Sequence, residues 1–149
     1  MKGLTDFVNQ EAGKLFEQTR MSLTEATENT CVFSNGYCYL RFVKEYLDVY
    51  VDVSANEYFS PKYALGFMVY SVLGEKINMY ADADSGVREK LQMQEYVAYL
   101  SNQFRGVFDG DFSWESKYQV TNQNEIELRK KMHTIPRDNP IWKKYLSDD

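Results

Sequence analysis

The segment TCVFSNGYCYLRFVKEYLDVYVDVS, residues 30–54, limits what this chain can fold into more than any other part of it. Apolar and polar residues alternate along it with the period of two that a half-buried strand requires. Asn35-Gly36 interrupts the pattern. Asn-Gly between β-rich runs is the leading signal for a two-residue hairpin, because a type I′ turn needs positive φ at both centres. That turn sets Phe33 opposite Cys38, Val32 opposite Tyr39 and Cys31 opposite Leu40. A second tight turn at Lys44-Glu45 sets Phe42 opposite Leu47, Leu40 opposite Val49 and Cys38 opposite Val51. On the other side Arg41 then meets Asp48, and Tyr39 meets Tyr50.

Both turns give the same division of side chains. Cys31, Phe33, Cys38, Leu40, Phe42, Leu47, Val49, Val51 and Val53 make a core face. Val32, Tyr37, Tyr39, Arg41, Asp48, Tyr50 and Asp52 point the other way. A slip of one residue would bury Asp48 and Asp52, so the facing is strongly specified. Cys31 and Cys38 fall as diagonal neighbours on adjacent strands, a poor geometry for a disulfide. They are expected to be buried, reduced thiols that behave as small hydrophobes.

Helical spacing frames the meander. Leu4, Phe7, Val8, Ala12, Leu15 and Phe16 predict a first helix to about residue 18. Met21, Leu23 and Glu25 alternate with their neighbours and suggest a short strand. Ser60-Pro61 reads as an N-cap and first helical residue, and Gly74 as a stop. Between them Ala64, Leu65, Met68, Val69, Val72 and Leu73 form a helical stripe, with the alternation Leu65, Phe67, Val69 leaving a strand as the rival. Residues 75–84 read as a loop. A long helix is expected from Asp84 or Ser85 to about Phe108. FDGDFSWESKYQV reads as a loop into a possible short strand. A helix capped by Asn122 or Asn124 then runs to Met132, and a last short helix opens at Asn139-Pro140. The fold class is α+β in a single domain spanning 1–149. It has an N-terminal helix, an antiparallel meander of three to four strands, and a mostly helical second half packed on the core face.

Chemistry is limited by what is scarce. The chain has 149 residues, one His and two Cys, so no disulfide framework is implied and a reducing cytoplasm is the expected setting. His133, in RKKMHTIP, reads as a surface residue at a basic helix end, where a cation suits the helix dipole. Cys31, Cys38 and His133 match no common zinc spacing. No G-x-S-x-G, P-loop or G-x-G-x-x-G occurs. Asp82-Ala83-Asp84-Ser85-Gly86 opens like a calcium loop, but Val87 and Met93 occupy the positions that need Gly and Glu. The set Asp109, Asp111, Ser113 and Glu115 fails likewise at Trp114. No cofactor or metal is expected.

Seventeen Lys and Arg stand against twenty-two Asp and Glu, a net charge of -5, which argues against a nucleic-acid binder. No stretch of ~18 apolar residues occurs, and the first residues lack a signal-peptide core, so no membrane association is expected. The charge is uneven. Residues 116–149 sum to +2 and residues 1–115 to -7, a dipolar distribution that favours oriented association. The usual reason for such a basic end is that cations suit the last turns of helices.

Aromatic residues make up 15% of the chain, with twelve Tyr. The expected partner-binding surface is Tyr37, Tyr39, Arg41, Asp48, Tyr50 and Asp52 on the outward meander face. Tyr is amphipathic and concentrates at interfaces, and flanking carboxylates steer a basic partner. The rival readings are a solvated sheet, where Tyr is common, and a face covered by a helix. Size and charge place the chain beside small acidic binding proteins, such as bacterial immunity proteins that inhibit a toxin. The expectation is therefore a non-enzymatic, immunity-type inhibitor of a basic protein. The alternatives are a homo-oligomeric secretion chaperone or scaffold, dimerising through the apolar segment 60–73, and an enzyme using carboxylates or Tyr.

Overall fold

The computed structural model describes residues 3–147. Their contacts divide the chain into two compact units, Met1–Ser113 and Trp114–Asp149. The first holds α1 (Leu4–Thr19), five strands, α2 (Leu65–Met68) and α3 (Val87–Ser101). The strands are β1 (Ser22–Ala26), β2 (Thr30–Ser34), β3 (Tyr39–Glu45), β4 (Asp48–Ser54) and β5 (Tyr63–Ala64), an antiparallel sheet in sequence order. The class is α+β, with one strand more than the three to four expected.

The inward face of the meander is as the alternation requires, whereas Val32, expected on the outward face, is buried as well. Cys31, Phe33, Leu40, Phe42, Val49, Val51 and Val53 are buried. α1 lays Phe16 against this face, 4.6 Å from Phe33 and 6.0 Å from Phe42 between ring centroids. α2 and α3 pack on β4.

The pairing differs from the expected register in both hairpins. Phe33 faces Leu40 and Ser34 faces Tyr39, so Asn35–Cys38 form the connection. Asn35 does not sit in a type I′ turn. Its Oδ1 accepts the Tyr37 and Cys38 amides at 2.9 and 3.2 Å. Its Nδ2 donates to the carbonyls of Thr19 and Phe108 at 3.0 and 2.8 Å. An asparagine that closes its own turn and ties down two helix ends has no need of the left-handed pair; only Gly36 there has positive φ, +91°. The second turn is Tyr46-Leu47, not Lys44-Glu45, because Glu45 faces Asp48. Tyr46 takes the left-handed conformation, φ 56°. Leu47 therefore leaves the core face and is a half-buried turn residue. Cys38 is a loop residue rather than a strand neighbour of Cys31, yet it is fully buried, its Sγ 4.0 Å from Met21 Sδ. Both thiols are free. Burial pushes Cys31 up to about 11 and Cys38 up to about 12.

Ser60-Pro61 does not start a helix. It is a cis peptide in the β4–β5 loop. There Asn56 Oδ1 accepts the Tyr58 and Ser60 amides, and Ser54 Oγ donates to the Pro61 carbonyl. The chain then spends Tyr63-Ala64 on β5, and the helix begins only at Leu65. It widens into a π-helical turn, Val69–Leu73, and stops at Gly74, φ 70°. The strand reading of Leu65, Phe67 and Val69 fails. Leu65, Met68 and Val69 are fully buried, so the stripe expected at a dimer interface faces the interior of this unit.

The long helix expected to Phe108 ends at Ser101, where Asn102 Nδ2 returns to the Ala98 carbonyl at 2.8 Å. A separate 3₁₀ turn, Arg105–Asp109, buries Val107 and Phe108 at a spacing that imitates a continuing helix. In the second unit α4 runs Glu115–Met132. The expected strand there is absent, and Asn122 and Asn124 are mid-helix residues rather than caps. A largely polar helix that buries only Tyr118 and Met132 offers little periodicity to read. His133 is its exposed C-cap residue. α5, Pro140–Ser147, opens as expected, with Asn139 Oδ1 accepting the Ile141 amide at 3.0 Å. Trp142 Nε1 donates to the Ile135 carbonyl at 2.9 Å, and the Arg137 guanidinium lies 3.9 Å above the indole. Among the described residues no helix is long and apolar enough to cross a membrane.

Candidate functional site

The outward face of β3 and β4 is a ladder of cross-strand pairs: Tyr39 with Ser54, Arg41 with Asp52, Val43 with Tyr50 and Glu45 with Asp48. The register settles the charges. Arg41 reaches Asp52, not Asp48 as expected, donating from Nε and Nη2 to one oxygen at 3.3 and 2.9 Å. Tyr39 does not face Tyr50. The loop between β4 and β5, rather than a helix, covers one end of the face. Its Phe59 ring lies 4.2 Å from the Arg41 guanidinium and meets Tyr39 edge-on at 6.4 Å.

Asp48 is claimed by α3. Arg88 Nε donates to its Oδ1 at 2.9 Å and Gln92 Nε2 at 2.6 Å, while Tyr50 donates to Oδ2 at 3.2 Å. Burial alone would raise this carboxyl; the Gln92 and Arg88 hydrogen bonds, the Arg88 charge and the Tyr50 hydroxyl outweigh it and hold the group below the usual aspartate value. Gln92, fully buried, also donates to the Met79 carbonyl at 2.8 Å.

The reason Gln92 is needed lies in the sheet edge. β5 pairs only with Asp52 and Val53, so the first half of β4 has no strand on that side. Gln92 Oε1 accepts the Val49 amide at 2.9 Å, and Tyr96 OH donates to the Val49 carbonyl at 2.6 Å. Two side chains of α3 stand in for the missing strand, as buried backbone groups demand. Their signal is visible in retrospect. Arg88, Gln92 and Tyr96 recur every four residues along α3, a polar line beside the apolar stripe of Met93 and Leu100.

These elements enclose a groove of about 690 Å³. Arg41, Val43, Asp48, Tyr50 and Asp52 line it. Glu45, Lys62, Met79 and Tyr96 line it too and were absent from the sequence expectation. Tyr50 is 42% exposed. Its hydroxyl is pushed up by burial and then by the Asp48 charge, with Glu45 adding to the effect. Asp48 and Asp52 are each neutralised by an arginine, whereas Glu45 and Lys62 make no ion pair among the described residues. Tyr39 borders a second recess with Val32, Glu25, Glu57 and Tyr58. Tyr37 is separated from the rest of the expected set. It is 65% exposed and lines a different pocket beside Arg20, Arg105 and Asp109. No group of three or more His, Cys, Asp or Glu among the described residues is placed to hold a metal ion.

No protein family, curated protein or solved structure matches this chain.

Proposed function

We propose that this protein is a binding module that takes a basic segment of a partner protein into the groove on the outward face of β3 and β4, and so acts as an inhibitor of that partner. The supporting observation is the Glu45–Tyr50 corner of the groove. Glu45 carries a carboxylate that no cation of the described residues neutralises, next to a half-exposed aromatic ring. A lysine or arginine side chain laid there gains both the carboxylate and the ring face. Exposed Tyr46, at the tip of the β3–β4 turn, extends the aromatic rim. Asp48 and Asp52 serve a different purpose in this reading. Each is held by an arginine and keeps the groove walls in place, so the recognition falls to Glu45 and Tyr50. Two free, buried thiols suit a reducing compartment such as the cytoplasm.

Affinity capture with the full chain from its source cells tests the reading. The captured partner is expected to bind Glu45→Lys and Tyr50→Ala at least about tenfold more weakly than wild type, the size of an interface hot spot. Equal binding of the partner to wild type and both variants would remove the groove as the binding surface.

A further inference from the structure

Tyr37 belongs to a pocket that the groove does not explain. It has a volume of about 330 Å³ and lies between the C-terminal end of α1, the β2–β3 loop and the 3₁₀ turn, all in the first unit. Arg20 and Arg105 both line it and both are exposed. Neither makes an ion pair among the described residues, where the ion pairs use Arg41, Lys44 and Arg88. Two guanidiniums without an ion pair on one small concavity stand out in a region whose residues 1–115 sum to -7. Helix-end carbonyls would ordinarily repel an anion here. Asn35 lessens that obstacle, because its Nδ2 donates to the Thr19 and Phe108 carbonyls. The Tyr37 side chain borders the pocket and packs beside Gly110, where an added Cβ would lie 3.6 Å from the ring. Gly110 has φ +83°, which suits a residue without a side chain.

One carboxylate, Asp109, lines the same pocket. It sets the chemistry of the occupant. A fully deprotonated anion meets repulsion from Asp109, whereas an anion that retains an O–H can donate to it. We propose that this pocket binds a phosphate-type oxyanion that still carries one proton, with Arg20 and Arg105 donating to its charged oxygens and Asp109 accepting its O–H. Arginine forks match the oxygens of such a group. Inorganic hydrogen phosphate has that proton at neutral pH. Sulfate lacks it, and a phosphomonoester lacks it well above its second pKa of about 6.

The test is a titration of the full chain followed by amide NMR at pH 8 and constant ionic strength, with inorganic phosphate, sulfate and phenyl phosphate as probes. Inorganic phosphate is expected to give saturable shifts at Tyr37, Arg105 and Asp109. Sulfate and phenyl phosphate are expected to bind at least about tenfold more weakly, the scale of one charge-assisted hydrogen bond. Arg20→Ala and Arg105→Ala each weaken phosphate about tenfold or more on the same scale. Asp109→Asn brings sulfate to within about threefold of phosphate, because the repulsion is gone. All three side chains are exposed, and unchanged spectra elsewhere verify that the variants fold. The proposal is overturned if phosphate shows no saturation up to about 20 mM, a range that covers weak sites. It is also overturned if wild type binds sulfate, or phenyl phosphate, as tightly as phosphate. Equality of all three anions is the behaviour of unspecific anion screening. If phenyl phosphate alone matches phosphate, the pocket takes deprotonated phosphate esters and Asp109 is not the acceptor. None of these outcomes bears on the partner groove, which shares no lining residue with this pocket.

Discussion

The two faces of β3 and β4 are built from alternate residues of the same strands, yet they respond differently to a change of register. On the inward face any even displacement of one strand past the other leaves Leu40, Phe42, Val49, Val51 and Val53 in the core. Both hairpins are displaced by even steps from the pairing that the turn residues suggest, and every one of these side chains stays buried. On the outward face the same displacement exchanges every partner. Arg41 moves from Asp48 to Asp52, and Asp48 is released to Arg88 and Gln92. A core asks only for apolar side chains of fitting volume. A polar site asks which donor meets which acceptor, and that depends on register to the residue.

Three substitutions sharpen this contrast. Phe42→Ala, at the centre of the inward face and touching Phe16 and Phe33, is expected to lose about 3–5 kcal/mol in urea unfolding, the cost of a large buried ring and its cavity. A loss under about 1 kcal/mol would mean the face is loosely packed and its register immaterial. Gln92→Ala joins the two faces, since it strips partners from the Val49 amide, Asp48 and the Met79 carbonyl. Leaving buried polar groups unpaired is expected to cost about 2–3 kcal/mol. Hydrogen exchange of the Val49 amide should accelerate in this variant, and unchanged protection would show that another group replaces Gln92. Asp48→Asn, on the outward face, is expected to cost about 1 kcal/mol at pH 7. Its carboxyl is held below the unfolded value, so the native state favours its charged form. That contribution is therefore fully present above the unfolded value of about 3.9 and is lost as pH falls through the lower folded value. The stability gap between wild type and Asp48→Asn should close in acid unfolding below about pH 4, and a constant gap would contradict the ion-pair role.

Much of the architecture was legible because it is local. The first helix follows from Leu4, Val8, Ala12, Leu15 and Phe16, all of which are buried. The fate of Cys31 followed from facing, whereas Cys38 is buried from a loop rather than from the strand position expected. Two of the errors share one origin, which is a polar side chain that binds backbone groups outside the pattern immediately around it. Asn35 looked like a turn residue and is one, but two carbonyls distant in sequence recruit its amide and lengthen the loop. Ser60-Pro61 looked like a helix start, but Asn56 and Ser54 bind its neighbourhood into a loop that delivers β5. The site suffered in the same way. Four of the six expected residues line the groove, Tyr39 borders a neighbouring recess, and Tyr37 lies in the second pocket. Glu45, Arg20 and Arg105 had no local pattern to mark them as members of either site.

Within the strands the sequence by itself determined which side chains face inward, because a period of two survives any even slip of register, while Leu47 and Cys38 fell outside the strands. It also excluded the chemistries that need several His or Cys. Only the tertiary structure decided which carboxylates are neutralised, which stays open at Glu45, and that two arginines line one pocket with Asp109. The physical reason is range. Facing is set by each residue's neighbours along the chain, whereas a charge is satisfied by whatever group the completed fold brings within a few ångströms.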